Sequence, residues 1–153
     1  MRVGLISDTH GLLRPEAVSA LAAVDMILHA GDVGGAVVLA ELRRVAPVHA
    51  VWGNVDDPAQ PGLDPSVDLD LEGLQIHVSH GHEVGSPTPA KLLSRYDADV
   101  IIYGHTHKAL IQREKGRLVV NPGAAGPRRF NLRPSVAILL VTGGRAEAEI
   151  VEI

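Results

Sequence analysis

At 153 residues, with hydrophobic residues at 46% and charged residues at 21%, the chain has the size and balance of one soluble globular domain with a good core. A net charge of −4 and an aromatic content of 3% argue against an extended nucleic-acid-binding surface, which is basic and carries stacking rings. The absence of cysteine excludes disulfides, iron–sulfur clusters and thiolate zinc sites and fits a reducing cytoplasm.

No apolar run approaches the roughly 18 residues of a membrane span. The stretch before Ser7 and Asp8 is too short for a signal-peptide core. The first half alternates strand, helix and strand. Residues 2–7 read as a buried strand. Pro15-Glu16 open a helix with Val18, Leu21 and Ala22 on one face. Residues 25–30 read as a strand, 36–45 as a helix with Val38, Leu42 and Val45 spaced for one face, and 47–52 as a third strand. The segment 55–66, rich in Asp, Pro and Gly, reads as a long surface loop. Residues 67–71 and 74–79 form a hairpin about Glu72-Gly73, a helix follows near 89–96, and 100–103 is another buried strand. The C-terminal third predicts short strands at 109–113, 117–121, 135–141 and 146–152, with Gly143-Gly144 as a hairpin turn and a Pro/Gly-rich loop at 122–134. This pattern predicts an antiparallel sheet packed against the parallel one.

Five apolar runs end at residues able to ligate a metal: Asp8, Asp32, Asn54, His80 and His105. Parallel strands bring their carboxyl ends to one edge, where α/β proteins place their sites. The intervals Asp8 to Asp32 and Asp32 to Asn54, 24 and 22 residues, each fit one crossover helix plus one strand. Taken singly, Asp8-Thr9-His10, Gly31-Asp32 and Gly53-Asn54 are common turn chemistry. Gly104-His105-Thr106-His107 and His80-Gly81-His82 are stronger, because two imidazoles can turn toward one locale. Together Asp8, His10, Asp32, Asn54, His80, His105 and His107 are too many for one tetrahedral zinc and suit two metals. Nitrogen and oxygen donors without thiolate fit Mn, Fe, Zn, Co or Ni. Lys108 and Ala109 after His107 break the metallo-β-lactamase pattern, and Asp-x-His at the N-terminus departs from the amidohydrolase pattern.

The ordered series Asp8-x-His10, Gly31-Asp32, Gly53-Asn54-x-Asp56, His80-Gly81-His82 and Gly104-His105-x-His107 resembles the calcineurin-like metallophosphoesterase family. The short chain and Asn121-Pro122-Gly123 resemble its compact phosphodiesterase branch. The resemblance implies an α/β four-layer αββα sandwich, two packed mixed β-sheets flanked by helices, with residues 1–153 as a single metallophosphoesterase domain. It implies a binuclear metal centre of two divalent ions, Mn favoured over Ni, Zn, Fe or Co. One ion would take Asp8, His10, Asp32 and His107 and the other Asp32, Asn54, His80 and His105, with Asp32 bridging. A hydroxide shared by the ions would attack the phosphorus of a small phosphate-ester substrate. A cytoplasmic hydrolase is expected, a phosphodiesterase first, with a homo-oligomer expected by resemblance alone.

Two departures stand out. Many members carry a His after the Gly-Asn pair that protonates the leaving group; here the residue is Val55. The general acid is therefore unassigned, with His82 as candidate, and good leaving groups are favoured. The acid that often follows the bridging Asp is also missing. Asp56 stands where a hydrogen bond could orient a ligand, or where it simply shapes the turn before Asp57-Pro58. His29, three residues before Asp32, reads as an ordinary histidine outside the ligand set, like His49 and His77, or as a residue that orients a ligand. Arg128, Arg129 and Arg133 read as solvated loop charges or phosphate contacts. Trp52 reads as a strand-end core residue. The alternatives are a non-catalytic metal-binding interaction scaffold, as in a eukaryotic retromer subunit of this fold, and a phosphomonoesterase or cyclic-nucleotide phosphodiesterase.

Overall fold

A computed structural model describes residues 1–153. In chain order the elements are β1 (Arg2–Ile6), α1 (Pro15–Ala20), β2 (Met26–His29), α2 (Ala36–Arg43), β3 (Val48–Val51), β4 (Leu63–Asp64), β5 (Val67–Leu71), β6 (Leu74–Val78), α3 (Pro89–Arg95), β7 (Val100–Ile102), β8 (Leu110–Glu114), β9 (Arg117–Asn121), β10 (Ser135–Thr142) and β11 (Arg145–Glu152), with a single 3-10 turn at His82–Val84. Proline opens α1 and α3, where its missing N–H costs nothing, and Thr88 caps α3 by accepting from Lys91 N at 3.3 Å. No helix is long and apolar enough to cross a membrane.

The strands form two mixed sheets. The first runs β11-β10-β1-β2-β3-β4 and the second β5-β6-β7-β9-β8. Within them β1, β2, β3 and β4 are parallel, as are β6, β7 and β9. Alternation along the buried strands sorts side chains between layers. Val3, Leu5, Leu28, Ile76, Val78, Val100, Ile102, Leu118 and Val120 fill the space between the sheets. Ile6, Ile27 and Ala50 face the other way, against Ala17 of α1, Leu21 just after it, and Val38, Leu39 and Leu42 of α2. Ile101, Tyr103 and Val119 pack beneath Leu92 of α3. The result is a four-layer αββα arrangement. Both faces of the central strands are covered, which is why they read as continuous apolar runs. Leu5 and Ile102 are fully buried, and truncating either to Ala costs about 2–5 kcal/mol.

Three expectations are corrected. The ligand-bearing strands do not share one sheet edge: β1, β2 and β3 lie in the first sheet, and β6 and β7 in the second. The C-terminal strands do not form a sheet of their own. Strands β8 and β9 extend the second sheet, whereas β10 and β11 extend the first through antiparallel pairing with β1. The 55–66 loop also contains β4, which pairs parallel to β3 through Ala50 opposite Leu63. Strand partners are chosen by long-range hydrogen bonding and burial, which local patterning does not encode.

Candidate metal centre

The ligand loops continue strand pairing beyond the strand ends. Asp8 N donates to Gly31 O at 3.0 Å, His10 N to Asp32 O at 2.9 Å, and Gly104 N to His80 O at 3.0 Å. These bonds hold an unusual backbone. Asp8, His10, Asp32, His105 and His107 all have φ between 46° and 71°, the left-handed region. Asp and His tolerate it better than bulkier residues, but each such residue still stores on the order of 1 kcal/mol or more. The flanking glycines are steric requirements. A Cβ on Gly53 would lie 2.0 Å from Asp32 Oδ1, and one on Gly104 would lie 2.1 Å from Ser7 Oγ and 2.7 Å from Asp8 Oδ2.

Each carboxylate has one oxygen committed and one directed inward. Asp8 Oδ2 accepts from Ser7 Oγ at 2.6 Å and from His105 N at 3.2 Å. Its Oδ1 is buried without a hydrogen-bond donor and lies 3.3 Å from His107 Nε2 and 3.8 Å from His10 Nε2. Asp32 Oδ1 accepts from Val55 N at 3.1 Å, leaving Oδ2 at 3.2 Å from His80 Nε2 and 3.7 Å from His10 Nε2. Asn54 Oδ1 lies 3.0 Å from His80 Nε2 and 3.1 Å from His105 Nδ1. All seven candidates therefore converge, with donor atoms from both sheets.

Burial would raise the Asp8 pKa, but the His107 imidazole facing Oδ1, the His80 charge and the Ser7 hydroxyl hold it below the ordinary carboxylate value. Burial likewise works against Asp32, but hydrogen bonding and charge from His80, with the Val55 N–H, bring it down to about 2. His80 is the counterpart: burial disfavours its charge, but Asp32 and Asp8 raise its pKa. His10 is held low by burial, against the pull of Asp32 and Asp8. His105 is held low by burial and by His80.

The donor set fits divalent metal ions. Because His80 Nδ1 lies 2.7 Å from the Ala30 carbonyl, it must carry the proton. In neutral His80, Nε2 then turns a lone pair toward Asn54 Oδ1 and Asp32 Oδ2, so acceptors face acceptors. A cation among them resolves the conflict. Metal–ligand bonds of about 2.0–2.2 Å put neighbouring donors roughly 3.0–3.5 Å apart, the spacing seen for most of these pairs. Asp8, His10 and His107, and separately Asp8, Asp32 and His80, bring ligand atoms within 4.8 Å of one another.

The remaining candidates lie around this cluster. His82 packs with ring centroids 5.4 Å from His80 and 6.4 Å from His105, and its side chain is one-third exposed. Asp56 makes no hydrogen bond to a ligand side chain. Its carboxylate accepts from Val33 N at 3.0 Å, Gly34 N at 3.0 Å and Gly53 N at 2.8 Å, tying the loops after β2 and β3 together. Val55 is exposed, and Trp52 packs against the helix-side core. His77 lies away from the centre, paired with Asp68 at 2.8 Å and stacked on Tyr96.

Two supports brace the ligand loops: His29, which the sequence marks as able to orient a ligand, and Asn121, whose bracing role it does not single out. His29 is fully buried: its Nδ1 accepts from Gly31 N at 3.1 Å, so its Nε2–H donates to Thr9 Oγ1 at 3.0 Å, and Thr9 passes a bond on to Val33 O at 2.7 Å. It therefore binds the Asp8 and Asp32 loops together from below, and its pKa is lowered by burial to about 4. Asn121 Nδ2 donates to Gly104 O at 3.1 Å and Thr106 Oγ1 at 3.0 Å, shaping the loop that bears His105 and His107. A polar residue ending the otherwise apolar run 118–121 is the sequence signal for this support.

A calcineurin-like phosphoesterase superfamily domain model matches residues 1–144. A probable metallophosphoesterase of Methanothermobacter thermautotrophicus is 36% identical, covering 99% of this chain and 92% of the relative. A phosphodiesterase of Methanocaldococcus jannaschii is 28% identical, covering 80% of this chain and 83% of the relative. The crystal structure of wild-type Vps29 complexed with Zn²⁺ from Entamoeba histolytica superposes with a TM-score of 0.83 at 26% identity, covering 99% of both chains.

Proposed function

The chain belongs to the calcineurin-like phosphoesterase superfamily, and on that premise we propose that it is a phosphodiesterase dependent on two divalent metal ions, with Mn²⁺ as the favoured ion. The observation that carries the reading is the pair of buried carboxylates, each with one oxygen fixed by donors and the other turned toward imidazoles. Asp8, His10, Asp32 and His107 would hold one ion, and Asp32, Asn54, His80 and His105 the other, with Asp32 shared. When bound, the ions supply Lewis acidity that deprotonates a water near neutral pH and polarises the phosphoryl oxygens.

The chain's own contribution is placement and charge. Asp8 and Asp32 stay ionised through the neutral range, because both are held below the ordinary carboxylate value. The Ala30 carbonyl keeps the His80 proton on Nδ1, so Nε2 presents its lone pair. Val55 cannot transfer a proton, so leaving-group protonation falls to another group, with His82 beside His80 and His105 as the candidate. The M. jannaschii phosphodiesterase supports the choice of diester over monoester.

The test is hydrolysis of bis(4-nitrophenyl) phosphate by metal-depleted protein with Mn²⁺ added back. Activity abolished by chelator, by Asp32→Ala and by His107→Ala supports the reading. Folded, metal-loaded protein inert toward diesters and monoesters overturns it. The likeness to Vps29 supports a second reading, a metal-binding interaction scaffold. A stoichiometric protein partner recovered with protein of weak metal affinity would favour that alternative.

A further inference from the structure

Residues 124–135 form a closed loop beside the metal centre. Its ends meet where Ser135 N donates to Ala124 O at 3.1 Å. Its first limb is bonded to the Asp8 loop: Ala125 N donates to Ser7 O at 2.9 Å and Gly126 N to Asp8 O at 3.2 Å. Gly126 lies so close that a Cβ there would meet Thr9 O at 2.1 Å, and Arg14 Nε donates to Gly126 O at 3.1 Å. Compact loops with joined ends and an anchored base present their tips as binding elements.

The tip carries the unusual residues. Arg128, Arg129, Phe130 and Asn131 are all exposed. Arg133 is paired with Glu152 at 3.1 Å, whereas no carboxylate lies within 4 Å of Arg128 or Arg129. The base of the tip lies against the loop that bears Asp8 and His10, because Gly126 bonds Asp8 O and sits against Thr9 O. Phe130 is the sole phenylalanine of the chain. It is 87% exposed and has φ 55°. A bulky ring in the left-handed region stores strain on the order of 1–3 kcal/mol, and such strain concentrates at binding sites. The turn is closed beneath the ring, where Leu132 N donates to Arg129 O at 3.2 Å.

We infer that this loop is a substrate-binding strap, in which Arg129 binds a phosphoryl oxygen on the His10 side of the centre and Phe130 packs against an aromatic ring carried by the ester group. The inference rests on the phosphoesterase reading and names the substrate class: phosphodiesters bearing an aryl or nucleobase ring. An exposed guanidinium beside a planar ring matches a phosphate next to an aromatic group, because charge-assisted hydrogen bonding fixes the first and stacking holds the second.

The test measures binding to the Mn²⁺-loaded protein by calorimetry, independently of turnover, with methylphosphonate, phenylphosphonate and a nucleoside 5′-phosphonate as probes. The wild-type protein is expected to bind the ring-bearing probes at least about fivefold more tightly than methylphosphonate. Phe130→Ala removes that preference and leaves methylphosphonate affinity unchanged, while Phe130→Tyr keeps it. Arg129→Ala weakens all three about tenfold, with an unchanged melting temperature. The tighter of the two ring-bearing probes identifies the ring as nucleobase or simple aryl. Equal affinity for methyl- and phenylphosphonate, or a preference that survives Phe130→Ala, overturns the strap. Metal-loaded protein that binds no phosphonate overturns the phosphoesterase reading and the strap with it.

Discussion

His80, at the end of a strand in the second sheet, donates from Nδ1 to the backbone carbonyl of Ala30 in the first sheet at 2.7 Å. This bond crosses between the sheets, sets the imidazole tautomer and directs Nε2 at Asp32 and Asn54. Because the His80 pKa is raised above the ordinary 6.5, the metal-free centre retains a proton there into the neutral range. A metal must displace that proton, so metal uptake should release protons and weaken on acidification. Affinity for Mn²⁺ should be at least about tenfold lower at pH 6 than at pH 8. His80→Ala should reduce the bound-metal stoichiometry from two toward one. A pH-independent affinity would contradict this account.

Gly53→Ala would place a methyl group 2.0 Å from Asp32 Oδ1 and 2.4 Å from the backbone Asp32 N, so the carboxylate must move and the backbone resists. The strain should cost about 1–3 kcal/mol of stability and displace the carboxylate. Metal affinity and hydrolysis should fall far more than the melting temperature does, and calorimetry with thermal melting separates the two effects. Retained metal affinity would show that Asp32 is not held by this contact.

His29 makes metal-free stability acid-sensitive. Its pKa is about 4 in the fold against an ordinary 6.5, so between those values the unfolded chain binds the extra proton. Stability is fully present above about pH 6.5 and is lost as pH falls toward 4, by up to about 3 kcal/mol. Asp32, brought from 3.8 to about 2, adds a second loss only below about pH 4. Urea unfolding across pH 4–7 should show the upper slope, and His29→Gln should flatten it.

Val55 offers a gain-of-function test. Its N–H holds Asp32, but the residue is 61% exposed, so replacing its side chain need not disturb the carboxylate. Hydrolysis by the natural chain should slow steeply as leaving-group pKa rises. Val55→His should reduce that dependence and accelerate alkyl esters by about 10- to 100-fold relative to activated ones. Rates that fall equally steeply in both proteins would place leaving-group protonation elsewhere.

Phosphate-ester substrates should stabilise only the metal-loaded state. Adding Mn²⁺ at 100 times its dissociation constant should raise stability by about 2.7 kcal/mol per site. Chelator should reverse this, and Asp8→Ala should abolish the part due to its ion. A melting temperature indifferent to Mn²⁺ would argue against binding at this centre.

The sequence by itself determined the candidate donor residues and their order. Asp8, Asp32, Asn54, His80 and His105 each close an apolar run, and strand ends are written locally in the end of that run and in the glycines beside it. The glycines Gly53 and Gly104 are legible beside the ligands in the same way, but the steric need for them, contact with Asp32 and Ser7, arises only in three dimensions. Tertiary structure alone decided that these ends come from two sheets, because a strand's partner is set by long-range hydrogen bonding and not by its own pattern. It also decided that Asp56 grips backbone amides and that His29 is a buried strut, since polar side chains find partners across 20 or more residues of chain. The free oxygens of Asp8 and Asp32 were likewise settled by folding: backbone N–H groups from Val55 and His105 claim one oxygen of each, and only the assembled loops bring those donors into reach.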